Sequence, residues 1–65
     1  MTNIVHAKTL TSDKINSALA AIEYCKTALA SDLEEWERKE YTSVLKTNTE
    51  MLDEAEAHME LLETM

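Results

Sequence analysis

The sequence predicts an all-α protein, a helical hairpin, on three observations. Neither glycine nor proline occurs among its 65 residues, although ordinary usage would supply roughly 7% of the first and 5% of the second. Apolar residues recur at alternating spacings of three and four along two long stretches, which is the period of an amphipathic helix. Between those stretches stands Ser31-Asp32-Leu33-Glu34, a capping-box pattern that opens a new helix.

Taken in order, Met1–Leu10 shows no helical period and reads as an N-terminal arm (1–10), with Ile4 and Val5 able to pack on the body. Residues 11–65 then form the single domain. Thr11 reads as the N-cap of a first helix over about 12–30, with Leu10 and Ile15 at hydrophobic-staple spacing and Asp13 at the positive end of the dipole. Ile15, Ala18, Ile22, Cys25 and Leu29 form its apolar stripe, widened by Leu19. The break is expected near residue 31. Leu33 and Trp36 also extend the first stripe, so a break near Lys39–Ser43 is the rival reading.

The second helix is expected over about 32–63. Projected at about 100° per residue, one arc holds Leu33, Tyr41, Val44, Leu45, Met51, Leu52, Ala55, Met59 and Leu62, with Glu37 and Asn48 inside it. The first helix would measure roughly 28 Å and the second roughly 48 Å. An overhang of that size predicts a dimer or higher oligomer that covers the seam through Leu33, Tyr41, Leu45, Asn48, Leu52, Met59 and Leu62.

Charge narrows the function classes. The net charge is −7. Residues 32–65 hold three bases against eleven acids, whereas residues 1–31 hold three against two. Duplex nucleic acid is an unsuitable partner, because phosphate binding needs a basic face. The apolar runs are too short for a membrane span, so a soluble cytoplasmic protein is expected. One cysteine allows no internal disulfide and is compatible with a reducing compartment.

No catalytic, cofactor or metal site is expected. Cys25 sits on an apolar stripe with neither His6 nor His58 placed beside it, which suits a small buried hydrophobe better than a nucleophile. A bundle di-metal site needs Glu-x-x-His, and the position three before His58 is Ala55. Asn48 on an apolar arc can fix helix register. Glu34–Arg38 and Glu35–Lys39 are solvated helical pairs.

The last sixteen residues carry Glu50, Asp53, Glu54, Glu56, Glu60 and Glu63 without a Lys or Arg. Acids there oppose the helix dipole, and a broken local rule points to a contact. Trp36, Asp53, Glu56, Glu60 and Glu63 are therefore the candidate residues for docking on a basic protein partner. The expectation is a non-enzymatic regulator or inhibitor of the phage or mobile-element kind.

Ile4, Lys8, Leu10, Thr11 and Ile15 resemble the Ile…Arg-x-Leu-Thr…Ile opening of phage helical-hairpin proteins that sequester cyclic oligonucleotide immune signals. Lys46-Thr47 resembles that family's Arg-Thr pair. His6-Ala7 stand where the family has Gly-Tyr, so its base-stacking aromatic is missing here. The resemblance covers about a third of the chain. It implies an oligomeric anti-defence sponge for cyclic nucleotides, with Lys8, Lys46 and Thr47 as phosphate contacts.

Overall fold

The computed structural model describes residues 3–65. Two helices of nearly equal length, α1 (Asn3–Leu29) and α2 (Glu35–Glu63), pack against each other as a helical hairpin. The molecule is a rod of 51 × 13 × 13 Å.

The expected N-terminal arm is corrected. From Asn3 onward its residues are the first two turns of α1, while Met1 and Thr2 lie outside the described residues. Thr11 is accordingly no N-cap. It is 3% exposed in mid-helix, and its hydroxyl donates to the Ala7 carbonyl at 2.8 Å. Leu10 and Ile15 are consecutive parts of one helix rather than a staple across its start. The physical reason is that Ile4, Lys8 and Thr11 continue the three–four spacing of Ile15 and Ala18. Two of these positions are polar, which hides the period. Lys8 is half-buried and can lay its aliphatic stem along the seam.

The break falls at residues 30–34, as the first reading expected, and not near Lys39–Ser43. α1 closes when the Ser31 N–H and hydroxyl both donate to the Ala28 carbonyl. Ser31 is thus spent on the end of α1 and does not cap α2. The capping residue is Glu34, extended at φ −65° and ψ 156°, and its N–H donates to the Glu37 carboxylate at 3.1 Å. This shifts the capping-box motif three residues along the chain. Arg38 then reaches back to donate to the Leu29 carbonyl at 3.2 Å, tying α2 to an unpaired end of α1. The turn is made without a positive φ among the described residues, which is how it forms without glycine.

With α1 longer and α2 shorter than the sequence predicts, the helices measure about 40 and 43 Å. The expected overhang does not exist. Tyr24 and Tyr41 meet across the seam with ring centroids 6.0 Å apart, and Thr11 and Ala55 line one cavity. Those contacts fix an antiparallel register in which Cys25 stands level with Tyr41, Ala18 with Asn48, Thr11 with Ala55, and Ile4 with Leu62. The core is thin. Among the described residues only Thr11, Ala18, Ile22, Cys25, Ala55 and Leu62 are buried.

Candidate functional site

The heptad-like seam that aligns these pairs also defines two flanks of the rod. On one flank, α1 presents Leu10, Lys14, Ala21 and Tyr24. α2 adds Val44, Met51, Glu54, His58 and Leu61 there, with Trp36 at the corner end. Two surface depressions open on this side. One, of about 400 Å³, is lined by Thr11, Lys14, Met51, Glu54, Ala55 and His58. The other is lined by Trp36, Glu37, Glu40, Tyr41 and Val44. Tyr24, Trp36, Val44, Met51 and Leu61 are all exposed, Trp36 at 64%.

The other flank is polar. Asp53, Glu56, Glu60 and Glu63 run along it and are all exposed. Lys39 and Lys46 follow on the same strip toward the corner, and no Lys or Arg lies beyond Lys46 in α2. Val5 and Leu19 are its large exposed apolar residues. The four acids named by the sequence therefore share one surface. Trp36, grouped with them there, stands apart from them at the far end of the rod, in the depression that Glu37 and Glu40 also line.

The residues expected to cover an oligomer seam have another role. Tyr41, Leu45, Asn48, Leu52 and Met59 are half-buried and Leu62 is buried, all along the seam against α1 of the same chain. Leu33 is half-buried in the corner rather than on α2. Asn48 donates from its side-chain amide to the Val44 carbonyl at 2.9 Å, so its polar group is satisfied within its own helix. Glu37 is half-buried and its carboxylate accepts the Glu34 N–H.

Lys8, Lys46 and Thr47 do not converge within one chain. Lys46 and Thr47 are exposed near mid-rod and point about 100° apart. Lys8 lies on α1 roughly 18 Å further along the axis. A pocket built from all three would need a second subunit.

Cys25 is 1% exposed and makes no disulfide. No group of three metal-binding side chains converges among the described residues, and none of the described helices is long and apolar enough to cross a membrane. The tyrosine pair is the perturbed titrating site. Tyr41 is held above its ordinary value of 10.0, chiefly by hydrogen bonding to Tyr24, then by the like charge of an ionised Tyr24 and by desolvation.

No protein-family model, curated protein or solved structure matches the chain. What fold and surface define is a class: an all-α hairpin with an apolar flank and an acidic flank.

Proposed function

We propose that this hairpin is a non-enzymatic interaction protein whose acidic flank docks on a basic protein surface. The observation that carries the reading is the alignment of Asp53, Glu56, Glu60 and Glu63, all exposed, on one side of α2 beyond its last Lys or Arg. Acids in the final turns oppose the helix dipole, so folding alone gives little reason to place them there. A strip of one charge raises the encounter rate with an oppositely charged surface and makes binding salt-dependent. The chain is read as a small regulator or inhibitor of the phage or mobile-element kind. The cytoplasm suits a single unpaired thiol.

The test uses a defined basic probe, a polylysine peptide, and the full chain. Wild type is expected to bind with an affinity that falls steeply as salt rises. The double variant Glu56→Lys, Glu60→Lys is expected to lose at least about tenfold in affinity, or roughly 1.4 kcal/mol. Equal binding by both proteins overturns the acidic-flank reading.

A further inference from the structure

We infer that a second copy of this chain covers the apolar flank, with the corner of each hairpin lying over the terminal end of the other, to make a four-helix bundle. The face is not the seam, which α1 already occupies. It is the flank that carries Tyr24, Val44, Met51 and Leu61, together with its two depressions.

Three observations choose this occupant. The first is area. A folded monomer of this mass exposes about 4,200 Å², whereas the hairpin exposes 5103 Å². The surplus, about 900 Å², matches the roughly 800 Å² that one partner gives to a standard interface. Its radius of gyration, 14.9 Å, likewise exceeds the roughly 11 Å of a compact chain of this length. Six buried residues among those described are a small core for a chain with no disulfide. The partner that completes it must be present whenever the chain is made, and a second copy always is.

The second observation is charge. The polar flank carries Asp53, Glu56, Glu60 and Glu63, so two copies meeting there would repel, whereas Glu54 on the apolar flank lies beside Lys14 in the same depression. Meeting on the apolar flank turns both acidic strips outward. The third is the charge gradient along the rod. Residues 18–48 hold four bases against six acids, and the two terminal stretches together hold two against seven. Side-by-side copies in the same direction would set the most acidic halves against each other. Opposite directions set each acidic half against the less acidic one.

The depressions are consistent with that arrangement. With α2 of each copy overlapping the other along its length, Val44 of one stands level with the cavity between Lys14 and Met51 of the second. Leu61 of one stands level with the cleft at Trp36 of the second. A two-fold axis makes both contacts twice.

Light scattering on the full chain at tens of micromolar is expected to give twice 7.4 kDa. Val44→Glu is expected to halve that mass, and Leu19→Glu, on the opposite flank, to leave it doubled. A nitroxide on Thr64→Cys, in a Cys25→Ala background, is expected to quench Trp36 fluorescence. Within one chain the label and Trp36 are roughly 42 Å apart, too far for contact quenching. A monomeric wild type overturns the inference. So does a mass halved by Leu19→Glu and not by Val44→Glu. A dimer without quenching overturns the opposed orientation. None of these outcomes depends on binding of a basic partner.

Discussion

Tyr24 and Tyr41 face each other across the seam with ring centroids 6.0 Å apart and planes inclined at 47°. A tilted pair at that separation is attractive through the ring quadrupoles, and it pins the register of the hairpin about one and a half turns from the corner. Tyr24 is also the leading cause that holds Tyr41 above its ordinary value of 10.0.

A raised folded pKa gives a definite sign. The neutral phenol is the form favoured by the fold, so its stabilising contribution is fully present below the unfolded value of 10.0 and is lost as pH rises through the higher folded value. Ultraviolet tyrosinate absorbance is expected to show a midpoint above 10.0 for Tyr41, with unfolding promoted on the alkaline side. Tyr24→Phe removes the hydrogen-bonding hydroxyl and the like charge, and it is expected to return Tyr41 toward the ordinary value. An unchanged midpoint would mean that the pair is not the cause.

Thr11 discriminates between a helix that begins at residue 12 and one that runs through from Asn3. An N-cap threonine lost to an apolar residue costs about 1 kcal/mol. In mid-helix the hydroxyl only adds a second bond to a carbonyl already used by the helix, and it faces a thin core that gains from a methyl. Thr11→Val is therefore expected to leave thermal stability unchanged or to raise it by up to about 1 kcal/mol. Destabilisation by that amount would restore the cap and the arm.

The misreading of Thr11 shows how far the sequence could be followed. Thr9, Thr27, Thr42 and Thr49 also donate to the carbonyl four residues back. These threonines therefore sit inside helices, where the hydroxyl satisfies itself, and none of them marks a start; Thr64, by contrast, is the C-cap of α2. The stripe from Ile15 to Leu29 and the corner after Ala30 were readable because apolar spacing and a serine–acid cluster carried them. The first two turns were not, because Lys8 and Thr11 occupy seam positions with polar side chains. That single error made α1 too short. It created the apparent overhang and sent Leu45, Leu52 and Met59 to an external interface when α1 covers them. Periodicity identifies a buried face and leaves open which chain buries it. The alignment of the four acids was legible, because it depends only on helical phase within α2.

The corner depends on two side chains in place of glycine. Glu37 accepts the Glu34 N–H and Arg38 donates to the Leu29 carbonyl. Both bonds are exposed, so each is worth about 0.5–1 kcal/mol. Glu37→Ala and Arg38→Ala are each expected to lower unfolding free energy by that amount in urea titration. Glu37→Gln keeps an acceptor oxygen and is expected to be nearly silent. A loss in the glutamine variant equal to that in the alanine variant would assign the effect to charge rather than to capping.

Cys25 is level with Tyr41 and almost wholly enclosed by the seam. A buried thiol with no base beside it reacts only when the structure opens. Modification by a thiol reagent is expected to proceed at the opening rate in native buffer and to accelerate by orders of magnitude in denaturant. Fast labelling under native conditions would contradict the register fixed by the tyrosine pair.

Asn48 is the polar residue at the centre of the α2 seam, level with Ala18, and its amide is bonded to the Val44 carbonyl. A satisfied asparagine opposite a small residue leaves apolar volume unused, and leucine there would extend the core toward both neighbouring layers. Asn48→Leu is expected to raise stability by about 1 kcal/mol, the usual sign when a polar seam residue is replaced. The cost would be specificity. If Asn48 selects the register, the uninterrupted leucine seam is expected to tolerate a slip of one heptad. Two sets of amide resonances in the variant, against one in wild type, would mark Asn48 as the residue that selects the register. A single sharp set with higher stability would assign that selection to Tyr24 and Tyr41 alone.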